Sequence, residues 1–306
     1  MKKSKAVNQK RATNQNKLIQ IFARIKARMY EKHVGSKIIR GMVWFSAAIT
    51  VGILAFIILY ILVKGIPNLT PELFEWKSTT KNQSMMPSIV NTLLMTVFTL
   101  IIAIPIGVGA AIYMVEYAKR GSKLVSIVRI TTETLSGIPS IVYGLFGYLF
   151  FVLACGWKYS MLAGALTLAI MILPIIIRTT EEALMAVPDS FREGSFGLGA
   201  GKLRTVFLIV LPDAIPGILS GVTLAIGRIV GETAALIFTA GTVAKVPSSV
   251  FNSTSTLAVH MYVLLNEGLH TEKAYATAVI LLLVVLFING ISKFAVSRLT
   301  RNRGEQ

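Results

Sequence analysis

The chain reads as an all-α membrane protein with six transmembrane helices, and three observations predict that class. Mean hydropathy is +0.68 and 54% of the 306 residues are hydrophobic. Only 15% are charged, where a soluble domain carries about 25%. Apolar stretches of spanning length also recur along the chain. A crossing helix needs about 20 mostly apolar residues, because each rises 1.5 Å through about 30 Å of hydrocarbon.

The first element is a basic arm, residues 1–40, holding twelve Lys and Arg against a single acid, Glu31. Within it Leu18, Ile21, Phe22, Ile25 and Met29 recur at helical spacing, while Lys17, Arg24, Lys26 and Arg28 fall mostly on other faces. A helix lying in the membrane interface and a disordered basic arm both fit that pattern. The arm leads straight into the first span, 41–64. A leader of that length before a long apolar run, with no small-residue cleavage site, is not a cleavable signal peptide. After an outer loop, 65–88, the core at 89–297 holds spans near 89–117, 128–154, 161–178, 215–240 and 274–296. Polar residues interrupt the third and fifth. A loop at 179–214 joins spans four and five, and 298–306 form the tail.

Charge orients these spans. With the N-terminus inside, the inner segments hold 24 Lys and Arg and the outer ones 6 of the 31, leaving Arg228 alone within a span. That bias follows the positive-inside rule. It places both termini and the 179–214 loop in the cytoplasm, and it explains most of the net charge of +17 without nucleic acid, whose platforms interleave basic residues with aromatics. Cys155, the one cysteine, lies in an apolar run and reads as a small buried hydrophobe. His33, His260 and His270 lack ligand spacing, so no metal site is expected. No Ser-His-Asp set or carboxylate pair assembles at one depth, which argues against an intramembrane enzyme. Residues 256–265 read as a partial helix packed on the bundle.

Residues 192–202, REGSFGLGAGK, superficially suggest a phosphate-binding loop. A Walker A loop needs glycine where Phe196 stands, and Ser or Thr where Leu203 stands. The stretch instead reads as helix, glycine turn, helix. Ser190 and Glu193 have capping-box spacing after Pro188, Gly199 and Gly201 suit a turn at positive φ, and a second helix starts near Lys202.

Glu193-Gly194-Ser195, then Gly199, then Ile209-Val210-Leu211-Pro212 resemble the EAA motif of ABC importer permeases. Gly194 and Ser195 stand where that motif has two alanines, small for small. Residues 135–148, 187–222 and 226–241 further resemble the PstA-type permease of phosphate importers, over roughly 85–296. The resemblance implies the type I ABC importer permease fold and a transport subunit without enzymatic activity. It also implies a coupling surface for an ABC ATPase dimer, formed by Ser190, Glu193, Gly194, Ser195, Gly199, Ala200 and Lys202. Further implied partners are a homologous PstC-type permease, an extracytoplasmic phosphate-binding protein and membrane lipid. ATP and Mg would sit on the ATPase, with no cofactor on this chain.

Candidate pathway residues come from the sequence itself. Arg228 falls near mid-bilayer, where burying it costs at least about 2.5–3.5 kcal/mol, so it should face protein or a wet cavity. Glu232, four residues on, shares its helical face. The two form either an architectural pair or an anion site with forked donors from Arg228. Ser136, Ser140 and Tyr143 recur at helical spacing in span three, either as hydroxyl links between helices or as ligands to an anion. Arg178, at the inner end of span four, either snorkels or lines the exit with positive charge. The Gly217/Gly221 and Gly227/Gly231 pairs suit close helix packing. The choice of phosphate over sulfate or molybdate rests on the resemblance. A PstC-type subunit and a membrane scaffold also fit the span pattern.

Overall fold

A computed structural model of the chain describes residues 36–119 and 121–304, with side chains described as far as Phe294 and at 297–298. The expected interfacial arm at 1–35 and the last residues of the tail lie outside the described residues. Contacts divide the chain into residues 1–60 and 61–306. Helix α1 (Ser36–Asn68), whose most apolar window has mean hydropathy 2.6, supplies through its residues 36–60 the described part of the first unit. Its residues 36–60 are exposed throughout, as an apolar helix solvated by lipid would be.

The second unit is built around α5 (Met161–Met185), two-thirds buried over its most apolar window. Ser160 opens it by accepting the Ala163 N–H at 3.3 Å, a side-chain cap on an orphan donor. Around α5 stand α2 (Met86–Ile112), α3 (Lys123–Ser136), α4 (Ser140–Gly147) and, past α6 (Asp189–Gly197) and α7 (Lys202–Thr205), α8 (Leu211–Val230). Then follow α9 (Ala234–Thr239), α10 (Leu257–Glu267) and α11 (Thr271–Gly304). π-helical turns extend α2 through Tyr113–Tyr117, extend α4 through Tyr148–Ala154, and join α7 to α8 through Val206–Val210. Among the described residues five helices have spanning length and apolarity, and α3 with α4 makes a sixth if counted as one crossing.

Lipid tails are as apolar as these helices, so close approach between small residues holds the bundle together rather than apolar burial from water. A methyl group on Gly107 would stand 2.7 Å from Ile176 Cγ2, and one on Gly217 would stand 2.6 Å from Ala183 Cβ. At Gly221 it would overlap Thr179. The Gly217/Gly221 pair therefore seats α8 on α5, as the spacing predicts. Gly227 and Gly231 have open surroundings, with nothing nearer than 3.7 Å, so the second pair serves no close packing within this chain. Leu168, Met171, Ile172, Ile176, Ala225 and Ile229 form the heart of the core.

Two expected spans are broken. The third bends by 105° between α3 and α4, at Gly137-Ile138-Pro139, because Pro139 lacks an N–H and restricts the residue before it. The expected fifth, 215–240, ends as a helix at Val230 and restarts as α9. The break falls at the polar Gly231-Glu232-Thr233, and its freed backbone groups find local partners: Glu232 N–H donates to Ile229 O at 3.1 Å, and Ala235 N–H donates to Glu232 Oε1 at 3.1 Å. Broken helices survive at membrane depth only where protein or a wet cavity shields them, and α9 packs on α4 and α5. Helix α10 confirms the expected partial helix. Cys155 is exposed, not buried, because the turn ending at Ser160 carries it clear of the core.

Candidate functional site

The register of α8 on α5 places Arg228 along the bundle. Gly217 faces Ala183 and Gly221 faces Thr179, so Arg228 lies opposite Ile172. That position is about 16 Å along the roughly 37 Å of α5, close to its middle. The side chain is half-buried and makes no salt bridge among the described residues. The expected pairing with Glu232 does not occur. An i, i+4 pair needs an unbroken helix, and this one ends at Val230. Glu232, 8% exposed, instead caps the start of α9 with its carboxylate.

The bend also separates the three hydroxyls expected on one face. Ser136 donates to Glu133 O at 2.7 Å at the end of α3. Ser140 is the first residue of α4. Tyr143, 4% exposed, donates to Leu135 O at 2.8 Å and so braces the bend. Its hydroxyl is engaged with backbone.

Between α3, α5 and α8 lies a cavity of about 540 Å³. Ser136 and Arg178 line it, as do Arg129, Glu133, Glu181 and Glu182. Pro174, Ile175 and Leu224 form an apolar wall, and Leu224 stands one turn from Arg228. The cavity thus runs from one turn short of Arg228 toward the end of the bundle that carries α6. Arg129 Nε donates to Glu181 Oε1 at 2.7 Å, and Arg178 Nε donates to Glu182 Oε1 at 3.0 Å. Arg178 is therefore matched by its own i+4 neighbour, which corrects the reading of a simply positive exit. Two arginines and three glutamates leave this wall without positive excess.

The glycine turn is helix, turn, helix, as expected. Gly199 has φ +81, a conformation that costs any residue with a Cβ, and a helix follows at Lys202. Two details differ. Gly201 has φ −73 and stands as the residue before α7, not as a positive-φ turn. The capping box does not form either: α6 begins at Asp189 after Pro188, with no side-chain cap. Ser190 is then already inside the first turn, and Asp189 supplies negative charge to the helix N-terminus. Glu193 and Gly194 are exposed, and a methyl on Gly194 would meet nothing within 4 Å, so its smallness is not demanded by this chain. Ser195, 6% exposed, shares a 2.8 Å hydrogen bond with Thr205 that ties α6 to α7. Ala200 is half-buried, and Lys202 Nζ sits 5.2 Å from the Tyr117 ring centre. Phe191, Phe196, Leu198 and Leu203 leave an apolar surface exposed around this turn.

Sequence reasoning missed the best-connected polar residue of this end. Arg192, one of the 24 inner basic residues counted for orientation, has a side chain 14% exposed and pairs with Glu116, 7% exposed. One signal was available: Glu116 is the single acid between residues 86 and 132. Arg129 with Glu181 was missed too, and there spacing helps little, since the partners lie 52 residues apart.

Comparison with known proteins fits this geometry. Residues 103–301 match the family model described as binding-protein-dependent transport system inner membrane component. A probable ABC transporter permease protein of Bacillus subtilis, YqgI, is 34% identical over 84% of this chain and 94% of its own. The phosphate transport system permease protein PstA of Haemophilus influenzae is 36% identical over 70% of this chain and 76% of its own. The PstA 1 protein of Mycobacterium tuberculosis is 36% identical, with 62% of each chain covered. Among solved structures, an inward-facing MetNI methionine ABC transporter superposes with TM-score 0.56 at 21% identity, covering 79% of this chain and 97% of that one. At that identity the likeness speaks for the fold, which is that of an ABC importer permease. The chain belongs to the binding-protein-dependent transport system inner membrane component family, as a multi-pass membrane transport subunit and not an enzyme.

Proposed function

We propose that this chain is one permease subunit of an ATP-driven importer of inorganic phosphate, working by alternating access. Arg228 carries the reading: a half-buried guanidinium opposite the middle of α5, with no salt bridge among the described residues and a cavity beginning one turn away. A guanidinium so placed offers forked donors to a tetrahedral oxyanion, and its desolvation cost is repaid when an anion arrives. The relatives named for phosphate transport favour phosphate over sulfate or molybdate. Glu232 acts by holding the α8–α9 break in shape beside Arg228. Ser136 and Arg178 line the route beyond it, while Ser140 and Tyr143 set the α4 wall.

The positive-inside bias supports cytoplasmic termini and a cytoplasmic α6 end. There the exposed apolar surface around Gly199, with Ser190, Glu193, Gly194, Ala200 and Lys202 at its rim and Ser195 beneath, meets an ATPase dimer that holds ATP and Mg. A PstC-type permease completes the pathway, and a phosphate-binding protein delivers substrate from outside.

The test is uptake of labelled phosphate into vesicles bearing the complex, with and without ATP, against excess sulfate or molybdate. Uptake that needs ATP and resists both competitors is expected. Uptake displaced by sulfate or molybdate would reassign the substrate, and failure to copurify any ATPase would sink the importer reading.

A further inference from the structure

Arg192 makes more side-chain hydrogen bonds than the pathway residues do, and none of its partners lines the cavity. Its Nε and Nη2 donate to Glu116 Oε1 at 3.1 and 2.8 Å. Nη2 also donates to Leu184 O at 2.8 Å, and Nη1 donates to Val187 O at 2.7 Å and Asp189 Oδ1 at 3.1 Å. One guanidinium therefore holds the π-helical end of α2, a last-turn carbonyl of α5, the α5–α6 linker and the first turn of α6. Carbonyls at a helix C-terminus lack intrahelical donors and attract cations, so the α5 end suits such a clamp. Burial makes the clamp stiff, because separating either charge from the other leaves it unpaired away from water.

From the nine-residue α6, side-chain bonds thus lead in two directions. Ser195–Thr205 leads into α7 and through the π turn into α8. Arg192–Glu116 leads into α2 and the end of α5. The covalent path alone, through the three residues Ala186–Pro188, reaches α5 but not α2.

We infer that the Glu116–Arg192 pair is the joint through which displacement of α6 reaches α2, so both are positioning residues for transport. The inference rests on the importer reading only in taking α6 as the element that an ATPase moves. Coupling of this kind needs a physical element that both ends bias, and the pair supplies one with named atoms. Asp189, in contact with Arg192, steadies the fork from its exposed side.

The experiment uses the full complex in proteoliposomes, in a Cys155→Ala background with a reporter, Ile101→Cys, on the exposed face of α2. The expected result is a labelling rate at the reporter that changes with ATP in the parent. Glu116→Gln, which keeps an acceptor oxygen but no charge, should abolish that change. So should Arg192→Lys, which keeps the charge but cannot reach four acceptors. Both variants should retain the ATPase and its hydrolysis, while phosphate moved per ATP falls about tenfold, within the usual range of a coupling between sites. An ATP-dependent label that persists in both variants overturns the joint, as does a parent whose label ignores ATP. Loss of the ATPase from both variants also overturns it, in favour of a folding role. A parent that moves no phosphate, yet shows the ATP-dependent label that the variants lose, supports the joint and sinks the phosphate reading instead.

Discussion

Replacing Arg228 with methionine removes a charge while keeping much of the side chain's length and apolar contact. The register on α5 puts this charge about 16 Å from the Met161 end of a helix roughly 37 Å long. An arginine at that depth costs about 2.5–3.5 kcal/mol relative to an apolar residue on insertion scales. No salt bridge is lost with it among the described residues, because Glu232 is engaged in capping α9. Arg228→Met should therefore raise the unfolding free energy by about 1–3 kcal/mol, the lower figure allowing for hydration from the adjoining cavity. Uptake of phosphate should fall at least about tenfold, since the forked donors are gone. Unfolding in mixed detergent micelles gives the first quantity and vesicle uptake the second. An architectural arginine has the opposite signature. If Arg228→Met loses more than about 1 kcal/mol of stability while uptake is preserved, the reasoning from depth and lack of a partner is refuted.

The Arg129–Glu181 pair should respond unequally to loss of either member. Arg129→Ala leaves a carboxylate whose side chain is 10% exposed without its cation and should cost about 3 kcal/mol. Glu181→Gln frees an arginine side chain already 53% exposed and should cost about 1 kcal/mol or less; equal costs in unfolding experiments would contradict the burial. Gly199→Ala imposes a Cβ at positive φ with no clash, so the turn should lose about 1 kcal/mol and ATPase retention about fivefold. Gly199→Asn should do less harm, and an Asn variant worse than the Ala one would speak against this account. Burial holds His260 below the usual imidazole range, against a smaller opposing effect of its bond to Gln83 O. An unfolded chain then binds a proton that the folded one refuses. Stability should be full above about pH 6.5 and decline as pH falls below it, and His260→Gln should flatten that slope in a pH series of unfolding measurements.

The helices of spanning length, their order and the turn at Gly199 were legible in the sequence because each has a local cause. Apolar length makes a span, basic residues choose its side, and glycine admits positive φ. The capping box at Ser190 was a plausible local signal that lost to a helix starting one residue earlier, behind Pro188. The break after Val230 is marked only by Gly231-Glu232-Thr233, a short polar interruption inside a run of spanning length. Beyond the break α9 packs against α4 and α5, where a methyl on Gly144 would come within 2.8 Å of Ala235 Cα.

By itself, then, the sequence determined a polytopic helical protein, its expected orientation and an arginine too costly to stand at mid-depth without a use. Those follow from transfer free energies, which depend on residue type and run length alone. Tertiary structure decided which charges meet. It denied Arg228 the partner that spacing offered, gave Glu181 to Arg129 across 52 residues, and gave Glu116 to Arg192 across 76. Pairing at that separation depends on where helices bend and which faces turn inward, and no local pattern carries that information.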